Sequence, residues 1–128
     1  MRSRILIVDD NQDTLITCSA VLSKAGYLIS TATDGFLAMR HLNEERMGLV
    51  LLDVSMPGMD GFDVCRAIKG NSDLYHIPVL FLSARVDPGS QAFGMSLGAA
   101  DYLSKPIQPA EVLLKAKKYC LKDPPPSP

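Results

Sequence analysis

Short apolar runs alternate with amphipathic stretches along nearly the whole chain. Three of the runs are wholly apolar, as is typical of parallel strands that are buried on both faces of a sheet. They occupy residues 5–8, 49–52 and 79–82. Two further strand-like segments contain more polar residues, which favours positions at the edges of a sheet. These segments lie at residues 28–32 and 101–104.

Segments with apolar residues at helical spacing separate these strands. In the first of them, Leu15, Cys18 and Leu22 form one stripe, and Gly26 follows as a terminating residue. In the last, Pro109 occupies the first helical position, where proline is well tolerated. The predicted helices span residues 13–25, 35–42, 62–68, 88–97 and 109–121.

Five successive strand–helix units predict an α/β fold, a doubly wound parallel sheet with helices on both faces. If the apolar runs are central and the mixed ones are edges, the five-stranded sheet has the order 2-1-3-4-5, the flavodoxin-like (βα)5 arrangement. The 128 residues suit one domain, which we expect over residues 1–122. Residues 123–128 are proline-rich, which predicts a tail or linker. Their abrupt end suggests that a larger protein was cut at this point.

Composition and charge narrow the class of protein. Hydrophobic residues make up 47% of the chain and charged residues 21%, which is ordinary for a globular domain. The formal net charge of -1 gives no basic field for nucleic acid or an anionic membrane. No apolar stretch approaches the roughly 18 residues of a spanning helix, and no secretory signal precedes the first strand. We therefore expect a cytoplasmic domain without direct nucleic-acid or membrane partners, whose three widely spaced cysteines are free buried thiols.

Chemically active residues follow the predicted strands at their carboxyl ends, where this kind of sheet binds ligands. Asp9 and Asp10 follow the first strand, and Asp53 ends the third. Ser83 ends the fourth, and Lys105 follows the fifth. Three carboxylates a few ångströms apart repel one another strongly unless a cation lies among them. Mg²⁺ suits such a site, since it accepts a few carboxylates and keeps several waters.

This arrangement matches the needs of a phosphoryl acceptor. Asp53 would attack phosphorus in line from a rigid strand end, while a metal ion and Lys105 neutralise the phosphoryl oxygens. The Met-Pro-Gly loop that follows would turn the chain away and leave the carboxylate accessible.

Four motifs carry a resemblance to a known family. They are "ILIVDD" at residues 5–10, "LVLLDVSMPGMDGFDV" at 49–64, "VLFLSA" at 79–84 and "GAADYLSKP" at 98–106. By their order and spacing, over essentially residues 4–122, the chain resembles the receiver domain of response regulators in two-component signalling, with a chemotaxis-regulator-like form.

The resemblance implies a role for each site residue. Asp53 is the phosphorylation site, and Lys105 pairs with the phosphoryl group. Asp10 binds Mg²⁺ directly, Asp9 supports the ion directly or through water, and Ser55 lends its backbone carbonyl oxygen.

The resemblance also implies a switch formed by Ser83 and Tyr102. The Ser83 hydroxyl moves to bond the phosphoryl group, and the Tyr102 ring swings into the vacated space. We expect little to cover that ring, because Tyr102 lies on an edge strand. The face formed by the fourth helix, fifth strand and fifth helix would then change.

Further expectations follow from the same family. The side chains of Ser55 and Arg85 would set the rate of dephosphorylation, and the Lys105–Pro106 peptide bond would be cis. The phosphoryl donor would be a sensor histidine kinase or a phosphotransfer protein. The receiver would control an output domain or partner protein, with dimerisation through the switching face as a further option. The domain would catalyse only its own phosphotransfer and autodephosphorylation, so it is not expected to be an enzyme in the usual sense.

Two other functions share parts of this pattern. A Mg²⁺-dependent phosphatase would also form an aspartyl phosphate, but it would profit from a second acid two residues after Asp53, where Ser55 stands. A flavin-binding electron carrier would share the sheet order, but no Ser/Thr/Gly-rich phosphate loop follows the first strand. Turnover of a phosphate ester, or a yellow purified protein, would favour these alternatives.

Overall fold

A computed structural model of the chain describes residues 3–84 and 88–122. Its five strands pair in parallel in the order β2-β1-β3-β4-β5, which confirms the predicted order and both predicted edge strands. The strands are β1 (Arg4–Val8), β2 (Leu28–Ala32), β3 (Leu49–Asp53), β4 (Val79–Ser83) and β5 (Asp101–Ser104).

Five helices connect and follow these strands, and local capping explains where three of them begin. The Asn11 side chain accepts hydrogen bonds from the first amides of α1, and the Asp34 side chain does so for α2. Asp60 and Asp63 form a reciprocal capping box at α3. The helices are α1 (Gln12–Lys24), α2 (Gly35–Glu44), α3 (Gly61–Lys69), α4 (Pro88–Ser96) and α5 (Pro109–Tyr119).

The fifth helix ends earlier than residue 121, the predicted end. The Leu121 amide donates to the Gly48 carbonyl before β3, and the Ser3 hydroxyl donates to the carbonyls of Leu121 and Lys122. These bonds draw the chain away from the helix axis, so that Cys120 is extended. The last two predicted helical residues are therefore not helical. The hydrogen bonds that join residues 3, 48, 121 and 122 form a unit that we call the terminal clasp.

Alternate residues of the buried strands face two separate helix layers. Leu6, Val50 and Phe81 pack with α2 and α3 on one face of the sheet. Ile7 and Leu51 pack with α1 and α5 on the other. Helices thus cover both faces of the sheet, and a functional site is expected at the carboxyl ends of its strands.

Two smaller findings complete the fold. Cys18 and Cys65 are free and buried, as expected, whereas Cys120 is only half-buried, because it lies beside the terminal clasp at the surface.

Among residues 3–84 and 88–122, no helix has the length and apolar character needed to cross a membrane.

Candidate functional site

Three carboxylates meet at the carboxyl-terminal edge of the sheet. Asp53 is the last residue of β3, and Asp9 directly follows β1. Asp9 is fully buried and Asp53 is 5% exposed, whereas Asp10 faces solvent. One carboxylate oxygen from each of the three lies within 4.8 Å of the others. The sequence-based expectation that these acids converge therefore matches the geometry.

Backbone contacts hold the buried acids in place. The Asp9 amide donates to the Ala32 carbonyl at 3.0 Å, and Asp9 Oδ1 accepts from the Asn11 amide at 2.9 Å. Because Asn11 also caps α1, the start of that helix fixes the Asp9 side chain.

Gly61 fixes the backbone at Asp53. Its amide donates to the Val54 carbonyl at 3.0 Å. A Cβ at position 61 would lie 2.1 Å from the Asp53 carbonyl oxygen, which no side chain could tolerate. The start of α3 therefore sits directly against the strand end that carries Asp53. Our sequence analysis gave Gly61 no role, although it lies within the quoted motif at residues 49–64.

Lys105 reaches both buried carboxylates. Its Nζ atom lies 2.7 Å from Asp9 Oδ2 and 3.3 Å from Asp53 Oδ1. The Lys105 amide donates to the Ser83 carbonyl at 2.9 Å, which ties the loop after β5 to the end of β4. The Lys105–Pro106 peptide bond is cis, which confirms that prediction.

Burial and neighbouring charges shift the pKa values of Asp53 and Lys105. Burial, followed by the negative charge of Asp9, raises the pKa of Asp53 to about 6, against the opposing effect of Lys105. Burial lowers the pKa of Lys105, but its close contact with Asp9 and the charges of both carboxylates outweigh this and raise the Lys105 pKa overall. The lysine is therefore firmly protonated, yet it does not fully compensate two buried carboxylates.

The residues at this edge fit a hard divalent cation. Asp9 Oδ2 is buried and accepts no well-directed hydrogen bond from the described residues, although the Lys105 ammonium lies close to it. At the same place, burial and then the negative charge of Asp9 raise the pKa of Asp53, so that its charged form is disfavoured. A cation that prefers oxygen ligands would satisfy both features.

The remaining predicted residues lie around this centre. Ser83 is buried at the end of β4, next to Leu82, which pairs with Asp53 across the sheet. Ser55 is exposed in the loop after β3, in a cleft that Met56, Pro57 and Phe62 also line. Arg85 lies outside the described residues, as does the tail at residues 123–128.

Tyr102 differs from the expectation that little covers its ring. The ring is half-buried, with its centroid 5.4 Å from that of Phe81, and its hydroxyl donates to the Ser90 carbonyl at 2.9 Å. The prediction was wrong because α4 lies over this part of β5 and covers a ring that strand order alone leaves open.

Two lysine contacts away from the acidic edge were not anticipated. Lys69 Nζ donates to the carbonyls of Tyr75 and Ile77 at 2.9 and 2.8 Å, which fastens the loop between α3 and β4. Lys115 Nζ lies 3.0 Å from Asp101 Oδ2 and joins α5 to β5. No sequence signal distinguishes these lysines from solvated ones.

A doubly wound domain with a lysine set among acids at its strand ends is the form expected of an aspartate phosphoacceptor. The sequence matches the family described as the response regulator receiver domain over residues 5–117. The chain therefore belongs to the receiver domain family of two-component response regulators, which confirms the resemblance noted from its motifs.

Individual relatives support this assignment. Response regulator PleD of Caulobacter vibrioides (strain NA1000 / CB15N) is 41% identical over 117 residues, covering 91% of this chain and 25% of that protein. The DNA-binding response regulator MtrA of Mycobacterium tuberculosis (strain ATCC 25618 / H37Rv) is 37% identical over 117 residues, covering 91% and 50%. The structure of chemotaxis response regulator CheY4 of Vibrio cholerae has a TM-score of 0.88 at 30% identity and covers 93% of this chain and 99% of that one. The chain thus spans a quarter to a half of the two curated relatives.

Proposed function

We propose that this receiver domain accepts a phosphoryl group on Asp53 from a sensor histidine kinase or a phosphotransfer protein. The observation that carries the proposal is the position of Lys105 Nζ, 2.7 Å from Asp9 and 3.3 Å from Asp53 within a cluster of three acids. Solvated surface acids would not need such a buried counter-charge. The family assignment favours this signalling role over the phosphatase and the flavin carrier.

In the proposed reaction, an Asp53 carboxylate oxygen attacks the phosphorus of a phosphohistidine in line. The new O–P bond forms as the P–N bond breaks, and the imidazole nitrogen leaves with the bonding electron pair. Lys105 is placed to pair with the phosphoryl oxygens. Asp9, Asp10, Asp53 and the Ser55 carbonyl would hold Mg²⁺, which supplies charge neutralisation when it is bound. The acyl phosphate is later lost to water, at a rate tuned by Ser55 and Arg85.

We further propose that phosphorylation is read at the face formed by α4, β5 and α5. The Ser83 hydroxyl would bond the phosphoryl group, and the position of the Tyr102 ring would change as a result. The face would then act on an output domain, a partner protein or a second copy of the chain, in the cytoplasm. The chain spans only a quarter to a half of the two curated relatives, which supports an output domain as one such target.

The test is chemical labelling of the purified domain. Incubation with acetyl phosphate and Mg²⁺ should add one phosphoryl group to the intact mass of the wild type, and chelation of the metal should suppress it. Asp53→Asn should remain unlabelled, and Asp73→Asn, which changes an exposed loop acid, should label like the wild type. Equal labelling of Asp53→Asn would overturn the assignment, as would turnover of many phosphates without a labelled protein.

A further inference from the structure

The fourth helix contains a buried glycine at a position where its backbone does not need one. Gly94 lies within α4 and has no positive φ. Helix propensity alone would favour alanine at this position. The presence of glycine must therefore be explained by what lies opposite it.

Tyr102 lies opposite Gly94. A Cβ at position 94 would be 2.1 Å from the Tyr102 hydroxyl oxygen and 3.0 Å from both Tyr102 Cζ and Phe81 Cε2. The first distance is far inside van der Waals contact, so even a methyl group would displace either the ring or the helix. The space that a side chain would fill is taken by the tyrosine hydroxyl.

The hydroxyl is also bonded at this point. It donates to the Ser90 carbonyl at 2.9 Å, one helical turn before Gly94. The gap at Gly94 and the carbonyl of Ser90 thus form one feature of α4, which we call the tyrosine socket.

The neighbouring residue holds the helix against the rest of the molecule. The Phe93 ring packs edge-on against Phe62 of α3, with centroids 4.9 Å apart, and the Arg66 guanidinium lies 5.5 Å from the Phe93 centroid. Phe62 in turn contacts Phe81, at 5.3 Å between centroids, and Phe81 contacts Tyr102. Residues 93 and 94 therefore rest on a continuous aromatic cluster that joins α3, β4 and β5.

We propose that Gly94 is a positioning residue of the switch, because its missing side chain creates the tyrosine socket. The Tyr102 hydroxyl occupies the socket, and this occupancy links the position of β5 to that of α4. The link to phosphorylation rests on the proposed function, whereas the socket itself is a property of the unmodified chain.

The experiment compares Gly94→Ala with the wild type by NMR of ¹³C-labelled tyrosine. The four tyrosines of the chain are distinguished with Tyr102→Phe. In the unmodified Gly94→Ala protein, the Tyr102 signals should be displaced from their wild-type positions. On addition of Mg²⁺ and beryllium fluoride, most of the wild-type response of Tyr102 should be lost, while labelling of Asp53 by acetyl phosphate persists.

Gly89→Ala is the matched control, because it makes the same substitution in the same helix at an exposed position. It should retain wild-type tyrosine signals and a wild-type response. If Gly94→Ala also keeps both, the socket has no positioning role and the inference is wrong.

A second substitution separates the socket from a general packing defect. With Tyr102→Phe the hydroxyl is gone, so adding Gly94→Ala should shift the α4 amides less than it does in the wild-type background. If Gly94→Ala alone does not fold, Gly94→Ala combined with Tyr102→Ala should restore folding, and failure to do so would overturn the inference. If the wild type is not labelled on Asp53, the proposed function is wrong. The role of Gly94 is then decided by the Tyr102 signals of the unmodified wild type and Gly94→Ala proteins.

Discussion

At the scale of single residues, Asp53 is held against a second buried carboxylate at a cost in stability. Its pKa is raised to about 6, first by burial and then by the charge of Asp9. Such a group makes the unmodified fold less stable near neutral pH, because the charged form is disfavoured in the folded state. This electrostatic destabilisation arises at Asp53, the residue that would accept the phosphoryl group.

Asp53→Asn should therefore stabilise the metal-free domain. We expect the free energy of unfolding at pH 7.5 to rise by about 1–2 kcal/mol, because one pKa unit is worth about 1.4 kcal/mol and solvent screens part of the shift. The raised pKa means that the folded wild type binds a proton more tightly than the unfolded chain. As pH falls from 7.5 to 4.5, the wild type should thus gain stability relative to the variant, and the difference should narrow.

Urea denaturation in the presence of a chelator measures both values. A variant that is less stable than the wild type at pH 7.5, or a difference that is the same at both pH values, would contradict this account of the site.

Single residues also mark how far sequence reasoning reaches. Asp9, Asp53 and Lys105 could be predicted because strand ends are visible as the ends of apolar runs, and parallel strands bring those ends to one edge. Gly61 and Lys69 were missed for a physical reason. Their importance arises from contacts with particular backbone atoms in neighbouring loops and strand ends, which leave no periodic pattern in the sequence.

At the scale of elements, α5 is joined to β5 by a small polar network. Asp101 Oδ2 lies 3.0 Å from Lys115 Nζ and accepts from the Tyr119 hydroxyl at 2.9 Å. Lys115 Nζ also donates to the Tyr102 carbonyl at 2.8 Å. Partial burial raises the pKa of Asp101, but the Tyr102 amide, Lys115 and Tyr119 outweigh it and hold that pKa below its usual value.

A double-mutant cycle between Asp101→Asn and Lys115→Met should measure this network. We expect a coupling of about 0.5–1 kcal/mol at pH 7, because both side chains are only partly exposed. A lowered carboxyl pKa stabilises the fold above the unfolded-state pKa, and this contribution fades as pH falls below about 4. The coupling energy measured by thermal unfolding should therefore decrease as the pH falls below about 4.

Arg40 and Glu44 provide the matched control pair, since they form an ion pair on α2 with side chains that are 73% and 59% exposed. Their coupling should be smaller than that of Asp101 and Lys115. An equal or larger value for the exposed pair would show that the network does not hold α5 to β5.

Element boundaries show a second limit of sequence reasoning. Every predicted strand and helix is present, because hydrophobic periodicity follows directly from which face is buried. The end of α5 and the covering of Tyr102 were not anticipated. Both depend on how elements dock against one another, at Gly48 and at Gly94, and a glycine seen in a sequence does not reveal what approaches it.

At the scale of the whole molecule, the acidic edge of the sheet provides a means of linking ligand binding to global stability. A ligand that binds only the folded state stabilises it, and a concentration ten times its dissociation constant contributes about 1.4 kcal/mol. Two helix layers cover the sheet, and their packing does not involve the acids. Metal binding should therefore be visible in unfolding without a change of fold.

Mg²⁺ should raise the unfolding temperature of the wild type in a concentration-dependent way, and Asp10→Ala should lose most of this effect. Because Asp10 is exposed, the substitution should not weaken the metal-free domain. Asp73→Ala, at an exposed loop acid, should respond to Mg²⁺ like the wild type. Differential scanning calorimetry with and without Mg²⁺ distinguishes these cases, and an undiminished response of Asp10→Ala would argue against metal binding at this edge.

The terminal clasp has a mechanical consequence for α5. Ser3 and Gly48 hold residues 121 and 122, so the carboxyl end of the helix behaves as a pivot. The 11 residues of α5 form an arm roughly 16 Å long. A tilt of about 10° would move its opposite end by about 3 Å on this arm. That end is at Pro109, on the side of Lys105, so the displacement is greatest close to the acids.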